Sequence, residues 1–234
     1  MSERWHEPEF TANWDRNIAD SYPSRALQVS LLVSMVSGLY QPGKWIVDLG
    51  FGSGRVEEQL FGQCRGQENA PRVVGVDSSA AMIDLARQRL ASWSGQYQAI
   101  QHDLAAIDSL PLPAGDYQMA ISVQVLHHLK QDAQCNIHRW VHRTLDPGGW
   151  YLIIDKRALP EEELDAYQLA WDALEQDPHW RTGSSFAEHL RHEREKGHSP
   201  ATTGQALAWL RENGFTATCL HAHLDRVLLV ARKS

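Results

Sequence analysis

Short apolar runs alternate along most of this chain with segments whose apolar residues recur every three to four positions. That alternation is the pattern of strand–helix–strand units and a parallel sheet. Strands are predicted at 45–49, 72–77, 96–101, 117–123, 150–155, 217–221 and 226–231, and helices near 55–62, 79–92, 131–145 and 203–213. From Ser24 to Leu39 the residues Ala26, Leu27, Val29, Leu31, Leu32, Val33, Met35, Val36 and Leu39 make a broad apolar face, so a largely buried helix is expected there. Ser78 or Ser79 can cap the helix at 79, whose buried face is Met82, Ile83, Leu85, Ala86 and Leu90. Asp146-Pro147-Gly148-Gly149 reads as a turn into the fifth strand. The link between the last two strands is too short for a crossover, so they pair antiparallel or flank another strand.

Two segments break the alternation. Residues 1–24 are polar yet carry Trp5, Phe10, Trp14 and Tyr22, which suits either a short helix plugging the edge of the core or a lid over an opening. Residues 156–202 form an insertion rich in charge and aromatic groups, where Trp171, Trp180 and Phe186 can line an apolar pocket and Arg181, Arg191 and Arg194 can meet an anion. The rest reads as one domain over 1–234, with an N-terminal helical or lid segment at 1–40 and a helical insertion at 156–202 that covers the substrate site.

Composition narrows the partners. The chain has 234 residues, 43% hydrophobic and 22% charged, enough for a sizeable core. A formal charge of −7 argues against a nucleic-acid surface. Cys64, Cys135 and Cys219 lie far apart with no CxxC pair, as expected in a reducing interior. No apolar run approaches the ~20 residues of a membrane span, so a cytoplasmic protein, monomer or homodimer, is expected.

The stretch Val47-Asp48-Leu49-Gly50-Phe51-Gly52-Ser53-Gly54 carries the candidate chemistry. Glycines there let the chain turn sharply between strand and helix and let a flat polar ligand lie against the backbone. No Lys-Ser or Lys-Thr follows, which excludes a P-loop, and the Gly50-x-Gly52-x-Gly54 spacing differs from the dinucleotide GxGxxG. Asp48 would repel a pyrophosphate and suits a cationic ligand instead. Asp77 and Asp103 close the next two strands, where one can accept from ribose hydroxyls and the other from an adenine amino group; each can also be merely a cap or turn residue.

With Gly75-Val76-Asp77-Ser78-Ser79-Ala80-Ala81-Met82, His102-Asp103-Leu104, Asp116-Tyr117 leading to Val125-Leu126-His127-His128-Leu129, and Leu145-Asp146-Pro147-Gly148-Gly149, the chain resembles the class I S-adenosylmethionine-dependent methyltransferases over residues 43–232. The resemblance implies an α/β, Rossmann-like, seven-stranded, mostly parallel sheet of order 3-2-1-4-5-7-6, strand 7 antiparallel, with helices on both faces. It implies S-adenosylmethionine as cofactor, S-adenosylhomocysteine as product and a small organic methyl acceptor bearing a hydroxyl, carboxylate or amine. By it, Asp48 with Gly50, Phe51, Gly52 and Gly54 holds the methionine end, Asp77 and Ser78 the ribose, and Asp103 with Leu104 the adenine. Met82 packs on the adenine, and Ser122, Val123 and Gln124 complete the amino-acid pocket. His127 or His128 is the candidate base, oriented by Asp155, although one histidine of that pair can simply bond its loop.

Two other readings accompany it. The layout after strand five, through the 205–215 helix into a final hairpin, is similar to the carboxy-S-adenosylmethionine synthases, whose glycine turn has lost part of the GxGxG pattern that is intact here. A non-catalytic cofactor-binding subunit is the third. No metal is expected: His138 with His142 and His221 with His223 have usable spacing but no completing ligand and read as packing or surface residues. Glu161-Glu162-Glu163 reads as a solvated helix start.

Overall fold

A computed structural model describes residues 3–17, 23–66, 70–180 and 182–234, with the side chains of Glu3 and Pro23 excepted; Tyr22 and Arg181 of the sequence reading lie outside them. Seven strands are present, β1 (Trp45–Leu49), β2 (Arg72–Asp77), β3 (Tyr97–Gln101), β4 (Tyr117–Val123), β5 (Leu145–Lys156), β6 (Phe215–His223) and β7 (Arg226–Lys233). Their order is β3-β2-β1-β4-β5-β7-β6. The β1–β4 pairs and their neighbours are parallel, while β7 runs antiparallel to both β5 and β6. The order and the reversed strand are as expected.

Helices cover both faces: α1 (Pro8–Asn17), α2 (Pro23–Leu39), α3 (Arg55–Gln63), α4 (Ala80–Arg89), α5 (Gln131–Thr144), α6 (Leu164–Glu175), α7 (Phe186–Glu195) and α8 (Thr203–Glu212). One core layer joins α5 and α8 to the sheet through Ile137, Trp140, Val141, Ala206 and Leu210. The other joins α2 and α3 through Val29, Leu32, Val33, Val36, Leu60 and Phe61. The middle strands are buried on both sides, which is why they read as continuous apolar runs.

Three local devices set the site. Ser79, not Ser78, caps α4, accepting from Met82 N at 3.2 Å, which leaves Asp77 free to face the strand ends. In the glycine turn, Gly50 has φ +88° and a Cβ there would lie 2.0 Å from Val125 Cγ2, so only glycine fits. Asp146-Pro147-Gly148-Gly149 is not a turn ahead of the fifth strand: it lies within β5, where pairing with β4 slips between Tyr117 and Met119. Proline and glycine weaken the ladder locally, and the strand absorbs them as a bulge.

The insertion has its own small core. Trp171 packs on Phe186 at 5.7 Å and on His189 at 4.7 Å, and its indole N–H donates to Ser184 O at 2.8 Å. Ser185 with Glu188, and Thr202 with Gln205, form capping boxes that start α7 and α8.

Candidate active site

The carboxyl ends of β1, β2, β4 and β5 converge on a cavity of about 820 Å³. Its floor is Gly50, Gly52, Asp77 and Met82; its side wall is Val123, Gln124, Val125, His127 and His128. A crevice outside the strand ends, where the strand order reverses between β1 and β4, is where α/β sheets bind ligands.

Asp77 is the most tightly placed acid. Its Oδ1 accepts from Ser79 N at 2.8 Å and its Oδ2 from Gly52 N at 2.9 Å, so one carboxylate ties the glycine turn to the α4 cap. Burial pushes its pKa up, and the two amides act against that.

Asp48 sits beneath the turn, 2% exposed, and its Oδ1 has no hydrogen-bond partner among the described residues. Glu57 on α3 is wholly buried beside it. Burial, then the neighbouring Glu57 charge, drives Asp48 far above the carboxylate range, and burial pushes Glu57 up to about 7. Two buried carboxyls without a cation share a proton, because both cannot ionise in a low dielectric. A cationic ligand end above them would supply the missing charge. This orphaned pair fits a sulfonium compound with an ammonium group and does not fit a phosphate.

The shared proton sets a stability prediction. A raised folded-state pKa contributes stability while the group is protonated and loses it as pH climbs. Without cofactor, melting temperature is therefore expected to fall as pH rises from the ordinary Glu value of 4.5 through about 7. Glu57→Gln, neutral throughout, should flatten that slope in a thermal-shift series; an unchanged slope would refute the shared proton.

His127 and Asp155 are paired. The His127 backbone N donates to Asp155 Oδ2 at 3.0 Å and its Nδ1 lies 2.5 Å from Asp155 Oδ1, with both side chains buried. Nδ1 therefore carries the proton and Nε2 is left with a lone pair. Burial lowers the His127 pKa against the pull of Asp155, and His128, without such a partner, is pushed down to about 2, mainly by burial. Both imidazoles are neutral at ordinary pH, and only His127 is oriented.

Both irregular segments reach this cavity. Arg4, Trp5, Phe10 and Trp14 line it from the N-terminal side, with Trp5 edge-on to Phe10, Trp14 and His128 at 5.3, 5.2 and 5.8 Å. Asp15 anchors α1 to the glycine turn: Arg55 Nε reaches it at 2.8 Å, Arg89 Nη2 at 2.7 Å, and Ser53 Oγ also donates to it. Against the upward push of burial, those three donors bring Asp15 down to about 2. The Ser79 hydroxyl donates to Trp5 O. From the insertion come His192, Glu195, Lys196, Gly197 and His198.

Several residues of the sequence reading stand elsewhere. The Phe51 ring packs over Gly75, where a Cβ would lie 2.3 Å away, and stacks on Tyr97 at 6.0 Å; only its backbone serves the turn, donating to Val76 O. Gly54 backs onto Leu90, Ser122 Oγ donates to Leu49 O, and Ser78 O receives Gln101 Nε2; none of the three lines the cavity. Asp103 is exposed and caps a 3-10 turn by accepting from Ala105 N at 3.0 Å, and Leu104 is buried in the core. In the insertion, Trp180 stacks on His223 and Arg191 is exposed, so the aromatic wall comes from residues 5–14 instead. His138 lies against Tyr151 and His142 against Phe215, as packing residues do. His198 had no motif around it. It reaches His127 because Ser199 N donates to His127 O at 2.9 Å and Gln134 Nε2 to Ser199 O at 2.8 Å.

Among the described residues no helix is long and apolar enough to cross a membrane. Residues 46–149 match a family described as "Methyltransferase domain". A carboxy-S-adenosyl-L-methionine synthase of Pseudomonas putida is 28% identical over 164 residues, covering 67% of this chain and 65% of that protein. A 37.1 kDa protein of transposon TN4556 from Streptomyces fradiae is 33% identical over 135 residues, and the chain spans 35% of its length. Among solved structures, the N-methyltransferase NodS of Bradyrhizobium japonicum with S-adenosyl-l-homocysteine superposes with a TM-score of 0.64 at 18% identity, covering 99% of both chains. Human N-acetylserotonin methyltransferase with its bound cofactor gives 0.61 at 18% identity, covering 99% of this chain and 56% of that one. Residues 46–149 thus match a methyltransferase domain, and the seven-stranded sheet around them has the fold of the S-adenosylmethionine-dependent methyltransferases.

Proposed function

We propose that this protein methylates a small organic acceptor that carries a hydroxyl. The observation that carries this is one cavity shared by the glycine turn, Asp77 and the neutral His127 imidazole held by Asp155. The cofactor supplies a methyl group already activated by its sulfonium, so the protein's task is to position the acceptor and exclude water. In this reading Asp77 binds the ribose hydroxyls, Gly50 and Gly52 offer backbone to the methionine end, and Met82 packs on the adenine. Asp48 and Glu57 balance the cationic end from below. His127 Nε2 takes the hydroxyl proton while Asp155 holds Nδ1–H and stabilises the resulting imidazolium. Trp5, Phe10 and Trp14 act as a lid.

A second reading has its own support. Six relatives at 24–28% identity are carboxy-S-adenosyl-L-methionine synthases, and two of those matches cover 94% of this chain. Such a protein would convert the cofactor instead of methylating an acceptor.

One experiment separates the two. The purified protein is incubated with S-adenosylmethionine and pooled small-molecule extracts, and both S-adenosylhomocysteine and the copurified nucleotide are read by mass spectrometry. Acceptor-dependent S-adenosylhomocysteine is expected; a carboxylated cofactor with no S-adenosylhomocysteine overturns the first reading.

A further inference from the structure

Three histidines meet on the cavity wall. One ring nitrogen each from His127, His128 and His198 lies within 4.8 Å of the other two, and the ring centroids are 4.1, 4.8 and 4.4 Å apart. Such a cluster is unusual packing for a protein interior: three imidazoles bring three acceptor nitrogens together and little apolar area.

The surroundings have the form of a metal centre. His127 Nδ1 is committed to Asp155, which leaves Nε2 as its free donor atom. His198 Nδ1 lies 3.5 Å from Glu193 Oε2, at ion-pair distance but without a hydrogen bond, so both of its ring nitrogens remain available. Metal-bound histidines characteristically turn their second nitrogen to a carboxylate, which fixes the tautomer and raises ligand basicity. Here His127 has that carboxylate hydrogen-bonded, and His198 has one at ion-pair distance. The third, His128, is positioned edge-on by Trp5. Glu193 also takes Lys156 Nζ at 2.6 Å and Lys196 Nζ at 2.8 Å, so the two nearest ammonium groups are paired with a counter-charge.

The geometry points to a three-histidine site for a divalent zinc-type cation, made by His127, His128 and His198, with one coordination position open to the cavity. Metal–nitrogen bonds of about 2.0–2.1 Å bring tetrahedral ligands to roughly 3.4 Å from one another, so the rings must close by up to about 1.4 Å. His128 and His198 are only half-buried and can make that movement. Imidazole ligands with an open position suit zinc, cobalt, nickel or iron over magnesium or calcium. This inference deepens the proposed reading and rests on its placing the acceptor in this cavity. The open position would take an oxygen, nitrogen or sulfur donor of the acceptor. A bound cation occupies the His127 lone pair, so the same imidazole serves either as base or as ligand.

The test uses the full-length protein freed of metal by chelation. Zinc binding is titrated by calorimetry, and cobalt is added as a spectroscopic probe. One equivalent of cobalt is expected to give the intense visible bands of a tetrahedral or five-coordinate site. His198→Ala, which leaves the His127–Asp155 pair in place, should weaken zinc binding at least about 100-fold, and Glu193→Gln roughly 10-fold. His179→Ala, on an exposed turn, should match the unaltered protein. Circular dichroism establishes that each variant is folded. Absence of stoichiometric binding, a hexa-aqua-like cobalt spectrum, or equal affinity in His198→Ala overturns the site. S-adenosylmethionine binding is measured in the same samples. Cofactor binding and methyl transfer without metal binding would remove the metal and leave the methyl-transfer reading standing.

Discussion

Asp77→Ala is expected to abolish measurable binding of S-adenosylmethionine and to lower the melting temperature as well. The carboxylate accepts from Gly52 N and Ser79 N, and both amides are left without a partner when it is removed. Each stranded donor costs about 1–3 kcal/mol, so roughly 2–6 kcal/mol of stability should go. On the proposed reading the same carboxylate binds the ribose hydroxyls. Loss of charged hydrogen bonds worth about 1.5–3 kcal/mol each predicts affinity at least 100-fold weaker. Asp77→Asn separates the two effects, because its one carbonyl can keep a single amide while the charge is gone: about half of the stability should return, but not the affinity. Calorimetric titration with cofactor and thermal melts of all three proteins decide it. An Asp77→Ala protein that still binds cofactor normally would sink the assignment.

Turnover is where Asp155→Asn should show. The buried pair holds the proton on His127 Nδ1 and leaves Nε2 as the acceptor. An amide there can donate to Nδ1 and invert the tautomer, and no charge remains to stabilise an imidazolium. General base catalysis contributes about 10²–10⁴-fold, and kcat for a hydroxyl acceptor should fall by that order. His127→Ala should fall as far, and the double variant no further, because the two act as one unit. Neither carboxylate nor imidazole touches the glycine turn, so cofactor affinity should stay within about threefold. A fall in cofactor affinity that matched the fall in kcat would reduce the pair to a structural role.

How much of this was legible follows from the range of the interactions. β1, β2 and β4 lie where the apolar runs put them, because a strand buried on both faces must be apolar throughout. The α4 boundary was legible to within a residue, because capping is a local contest between neighbouring groups. The bulge in β5 was not: Asp146-Pro147-Gly148-Gly149 has turn chemistry, and only the pairing of its neighbours Leu145 and Trp150 to β4 draws it into the strand. Phe51 shows the same limit inside the motif. Its place between two glycines says nothing about its ring, which Gly75 on the adjacent strand accommodates.

Asp48, Gly50, Gly52 and Asp77 could be found from spacing because they sit at successive strand ends, and sheet order brings strand ends together without further instruction. Glu57 was hidden as an ordinary first-turn helix acid, and its burial against Asp48 follows only from how α3 docks. His198 was hidden more deeply, 70 residues beyond His128 in a segment with no motif, and three backbone-directed hydrogen bonds carry it to the cavity. Periodicity and strand-end spacing, being local, already specified the strands of the sheet and the glycine turn. Which acids would be left facing each other, which segments would close the cavity, and which histidines would meet there depended on packing between residues far apart in the chain, and that packing exists only in the folded protein.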